Sequence, residues 1–69
     1  MNRGVSRQGL ENLGFPNVAI EEILKLNRVY YVTWQPKPWI GIVGKHDDAF
    51  VELMTQHGVI VEYLKFGNF

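Results

Sequence analysis

Cysteine is missing from the 69-residue chain, and with it go disulfides, thiol nucleophiles and every thiolate metal site. That absence fits a reducing compartment, so a cytoplasmic protein is expected. Serine occurs once, as Ser6, and no set of histidines and carboxylates has the spacing that nucleophilic or acid–base chemistry needs. An enzyme is therefore the least supported class; no catalytic residue, cofactor or metal is expected. Nor is there an uninterrupted apolar run of about 18 residues to cross a membrane, or an apolar segment in Met1–Gln8 that would suit a signal peptide. Excess charge of either sign is lacking too: seven Lys and Arg balance seven Asp and Glu. A chain without a broad field attracts phosphate backbones and anionic lipid only weakly.

What remains is apolar at 46% and charged at 20%, a composition that folds rather than staying disordered. Residues 1–69 leave room for one small domain, near the lower size limit for a single core. Its organising stretch is Arg28 to Gly44. Arg28-Val29-Tyr30-Tyr31-Val32-Thr33-Trp34-Gln35 is rich in β-branched and aromatic side chains and predicts a strand. Pro36-Lys37-Pro38 reverses the chain, and Trp39-Ile40-Gly41-Ile42-Val43-Gly44 returns as a second strand.

With Pro36 and Lys37 as the central turn residues, Trp34 faces Trp39 and Tyr31 faces Ile42. One face then holds Tyr30, Val32, Trp34, Trp39 and Val43; the other holds Val29, Tyr31, Thr33, Ile40 and Ile42. A longer loop that slips the register is the alternative, because tight hairpins prefer residues of positive φ. Such a slip would mix the faces.

Before the hairpin, residues 1 to 5 are expected to be loose, and Ser6 to cap a short helical turn through Leu10 and Leu13 that Gly14 ends. Asn17 is expected to cap a helix over Val18–Leu26, with Ile20, Ile23 and Leu24 on one face and Asn27 as its stop. After the hairpin, Asp47 or Asp48 caps a helix that Gly58 closes, with Phe50, Leu53, Met54 and His57 on one side. Val59–Phe66 predicts a third strand, followed by a tail. The order α-β-β-α-β gives an α+β two-layer fold: a three-stranded, mostly antiparallel sheet with two helices on one face. The crossover rule places strand three parallel to strand two, and setting it beside strand one gives the order 2-1-3.

Leu13-Gly14-Phe15-Pro16 followed by Val18-Ala19-Ile20-Glu21-Glu22-Ile23-Leu24 resembles the first loop and second helix of ubiquitin-associated domains over about a quarter of the chain. That family is a three-helix bundle, whereas here a strand follows the helix. The likeness is set aside as accidental. Gly41-Ile42-Val43-Gly44-Lys45 lacks both the intervening residues and the final hydroxyl of a phosphate-binding loop. His46-Asp47-Asp48 brings an imidazole and two carboxylates together, but adjacent residues point apart, and a helix start explains the acids better than a metal does.

Two small helices cover one side of a sheet, so part of the other must meet solvent or a partner. Tyr30, Trp34 and Trp39, with Lys37 at the turn, are the expected partner-binding residues. The expected role is that of a small accessory or regulatory protein, an inhibitor or adaptor, acting by protein binding through an aromatic sheet face or a strand edge. A homodimer through the same surface is one version of it. The alternative is a single-stranded nucleic-acid-binding module that uses these aromatics with Arg28, Lys37 and Lys45.

Overall fold

Ser6 caps the first helix: its side-chain oxygen accepts from the Gly9 amide at 3.1 Å, the capping bond that short polar residues supply to a helix start. The computed structural model describes residues 5–26 and 28–64. In order they form α1 (Arg7–Asn12), α2 (Asn17–Lys25), β1 (Val29–Trp34), β2 (Pro38–Val43), α3 (Asp48–Gln56) and β3 (Ile60–Leu64). Gly14 ends the first helical turn with φ +87°, a conformation that residues with a Cβ disfavour. Val5, expected to be loose, instead packs into the core. The expected loose start over 1–4, the stop at Asn27, the end of strand three at Lys65-Phe66 and the tail over 67–69 lie outside the described residues.

α2 starts one residue earlier than expected. Pro16, not Asn17, is its cap, and the Pro16 carbonyl accepts from the Ile20 amide at 3.0 Å without any side-chain cap. Proline is already set to the φ that a chain needs on entering a helix. α3 starts as expected: Asp47 accepts from the Phe50 amide at 3.2 Å, and Gly58, at φ +78°, follows its end.

The three strands form one sheet in the order β1-β2-β3. This corrects the expected order 2-1-3: β2, not β1, is central. β2 pairs antiparallel with β1 and parallel with β3, so the sheet is mixed and the expected parallel relation of strands two and three holds. Burial accounts for the choice of centre. Trp39, Ile40, Gly41 and Ile42 are buried in succession along β2, the pattern of a strand covered on both faces. β1 carries the rings with polar tips, which tolerate an edge.

The hairpin register also differs from the two-residue turn. Trp34 pairs with Pro38, Thr33 with Trp39 and Val32 with Ile40, leaving Gln35, Pro36 and Lys37 in the loop. The longer loop wins because Pro-Lys does not supply the positive φ of a tight turn. An irregularity between Val29 and Tyr31 then inserts Tyr30 as an extra residue. Together the slip and the bulge re-sort the side chains. Val29, Val32, Ile40 and Ile42 join Leu10, Phe15, Ile20, Ile23, Phe50 and Met54 in the core beneath the three helices.

Trp39 goes to the opposite, helix-free face, and is nonetheless only 5% exposed. Its indole lies over Gly41, where an added Cβ would sit 2.9 Å from Trp39 Cη2 and 2.8 Å from Leu64 Cδ1. Only a residue without a side chain leaves room for that ring. Gly41→Ala should therefore destabilise the fold by about 1–3 kcal/mol, the usual cost of overpacking. The leucine methyl can swing away, but the ring cannot withdraw without losing its neighbours. Urea unfolding measures the change; a midpoint equal to that of the wild type would contradict the close approach.

Candidate functional site

Three rings and a carboxylate run from the β1 edge across the helix-free face. Tyr30 meets Tyr31 edge-on, with centroids 4.9 Å apart and planes at 69°. Tyr31 lies against Trp39 at 5.0 Å and 44°, and Trp39 Nε1 donates to Glu62 Oε2 on β3 at 3.1 Å. Such tilted arrangements set the positive edge of one ring against the negative face of the next. The indole N–H, which would be costly to bury unpaired, has its acceptor. The face that no helix covers thus closes itself, with Trp39 as its centre.

The four residues expected to bind a partner therefore separate. Tyr30 is 53% exposed and Trp34 59% exposed. Lys37 is exposed in the hairpin loop, while Trp39 is buried beside Tyr31. Trp34, opposite Pro38, alternates onto the side of Val32 and stands at the strand end near Lys37. Tyr30, Tyr31 and Trp34 do not share a face; what they share is β1, the edge strand. Tyr31, 43% exposed, stands on the side opposite to that expected, because the three-residue loop sets it across from Gly41 and not Ile42.

At the opposite end of the hairpin, His46, Asp47 and Asp48 make structural contacts. Asp47 caps α3, and its amide donates to the Tyr63 hydroxyl at 2.9 Å. His46 lies over the Tyr63 ring at 4.3 Å, with Nδ1 2.8 Å from Asp48 Oδ1. Arg28 donates to the Lys45 carbonyl, and its guanidinium approaches the Tyr63 ring at 5.9 Å and Asp47 at 4.0 Å. These contacts tie the start of β1, the loop before α3 and β3 into one knot. Among the described residues no three His, Asp or Glu side chains group closely enough to hold a metal ion, and the surface has no pocket. No helix among them is long and apolar enough to cross a membrane.

Fold and surface together define a small α+β domain with an aromatic edge strand. Comparison with protein-family models, curated proteins and solved structures finds no match for the chain.

The two tryptophans should report separate environments. With Trp39→Phe leaving Trp34 as the single emitter, acrylamide should quench strongly; with Trp34→Phe leaving Trp39, it should quench several-fold less. Equal quenching of the two variants would show that Trp39 is not enclosed.

Proposed function

We propose that this chain is a small non-enzymatic accessory or regulatory protein, an inhibitor or adaptor, that binds another protein along β1. One observation carries the reading. Of the five large apolar side chains that are most exposed among the described residues, Tyr30, Tyr31 and Trp34 all belong to this one strand, and interface anchors are drawn from such rings. Tyrosine and tryptophan supply wide contact area while losing few rotamers on binding. The absence of cysteine suits a cytoplasmic place of action.

Nucleic acid is the weaker partner. Bases need open ring faces and nearby cations, yet Trp39 is enclosed, Tyr31 leans on it, and Arg28 is turned toward the Lys45 carbonyl.

A photoreactive benzophenone side chain placed at Trp34 should label a discrete protein in an extract of the source cells, and the same group at Glu52, on the exposed side of α3, should not. Excess unlabelled wild type should suppress the labelling; the Tyr30→Ala, Trp34→Ala double variant should compete at least several-fold less well. Equal labelling from both positions, or none from Trp34, would remove β1 as the binding surface.

A further inference from the structure

Charge in this neutral chain is unevenly placed. From Ile23 to His46 the sequence contains Lys25, Arg28, Lys37 and Lys45 but no Asp or Glu; every acidic residue falls within 11–22 or 47–62. β1 itself, Val29–Trp34, has no charged side chain. Lys37 stands exposed beyond its last residue. Lys45 is exposed beyond its first, since the Arg28 carbonyl accepts from the Val43 amide at 3.1 Å and the Arg28 guanidinium reaches the Lys45 carbonyl. Neither lysine forms an ion pair among the described residues. The one acid on the sheet, Glu62, is on the far strand and is held by Trp39. β1 is thus an uncharged edge with exposed Lys37 beyond one end and exposed Lys45 beyond the other, where Asp47 lies 4.0 Å from the Arg28 guanidinium.

Among the described residues no strand lies on the outer side of β1, and proteins usually guard such an edge with charge or proline. β1 carries neither. Taking the preceding reading as its basis, we propose that β1 receives an extended segment of the partner protein as a fourth strand, the segment being apolar in its middle and acidic at both ends. Main-chain hydrogen bonds supply affinity in this mode, and side chains and flanking charge supply selectivity.

The same charges argue against a second copy of the chain. Antiparallel pairing of β1 with itself sets Lys37 of each copy toward the Lys45 end of the other, so lysines without ion pairs among the described residues meet at both ends of the shared ribbon. A segment with acidic ends reverses both contacts.

A displayed library of fully randomised short peptides, selected on the intact chain, tests the proposal. Enriched peptides should alternate β-branched or aromatic residues and end in Asp or Glu on both sides. Binding should slow amide hydrogen exchange along β1. N-methylation of alternate peptide residues should abolish binding in one phase and spare it in the other, because only every second amide of an added strand faces its neighbour. The Lys37→Glu, Lys45→Glu variant should bind the selected peptides about tenfold more weakly at low salt, as two exposed charge contacts are reversed.

No enrichment, enrichment of helical or proline-rich peptides, or equal binding by both N-methylated forms would overturn the added strand. Oligothymidylate that quenches Trp34 with salt-sensitive affinity would replace it with nucleic acid. A concentration-dependent dimer in sedimentation that slows exchange along β1 would replace it with a second copy. If benzophenone at Trp34 labels a protein while no peptide is enriched, protein binding stands and the strand mode fails; if neither succeeds, both fail.

Discussion

The contact on which the sheet depends is the indole of Trp39 packed over Gly41. A domain this small has helix enough for one face only, so the other must exclude water with its own side chains. Burying an indole removes about 150–250 Å2 from water, a gross gain of about 4–6 kcal/mol at 25 cal/mol per Å2. Net stability for a chain of this length is roughly 3–10 kcal/mol, so one ring weighs as much as the whole margin. Three conditions allow it: no Cβ at Gly41, a methyl of Leu64 packed beside that same glycine, and the Glu62 carboxylate accepting the N–H. Because those conditions lie on β2 and β3, the ring also couples the central strand to its parallel neighbour.

That closure decides which surface is left over. Tyr31 leans on Trp39 from the β1 side and keeps part of its ring outside, while Tyr30 and Trp34 remain more than half exposed. An apolar platform across the sheet would be a general adhesive. A closed face with an open aromatic edge is a narrower offer: under the proposed strand addition, a partner would bring an extended backbone to the strand as well as apolar surface. Balanced net charge conceals a further restriction: the stretch that holds the hairpin, residues 23–46, is wholly cationic in its charged residues, and the acids sit on the helices, the loop before α3 and β3.

Much of this fold is legible in the sequence, for identifiable reasons. Ser6, Gly14, Asp47 and Gly58 mark helix ends through local chemistry that needs no tertiary context. The periodicity of Ile20, Ile23, Phe50 and Met54 gives the buried sides of α2 and α3, and β-branched and aromatic runs give the strands. The strand order and the faces are harder. Which strand takes the centre depends on comparing burial across the finished sheet, and local pattern alone favours the aromatic-rich β1 over the shorter-chained β2. The faces depend on a count of one. A three-residue loop and a single extra residue at Tyr30 each shift the alternation, and neither has a residue signature as firm as an Asn-Gly turn. For that reason Tyr31 and Trp34 trade faces, while Trp39 keeps the helix-free face and is buried there by its own neighbours.

The bulge at Tyr30 also limits what the edge can do. An unbroken, flat and uncharged edge invites indefinite stacking of identical strands. Inserting Tyr30 twists the first part of β1 away from the plane and interrupts the spacing of its outward amides, so regular pairing is available only from Tyr31 to Trp34. Beyond Trp34, Pro36 and Pro38 supply no amide hydrogen at all. The pairing frame is thus bounded by a distortion at one end and by prolines at the other, and the cations stand outside both bounds. An incoming strand that fits has a short apolar middle, and its charges fall where Lys45 and Lys37 can meet them. One that continues with uniform apolar character gains nothing past either limit, which separates selective strand addition from aggregation on the same edge.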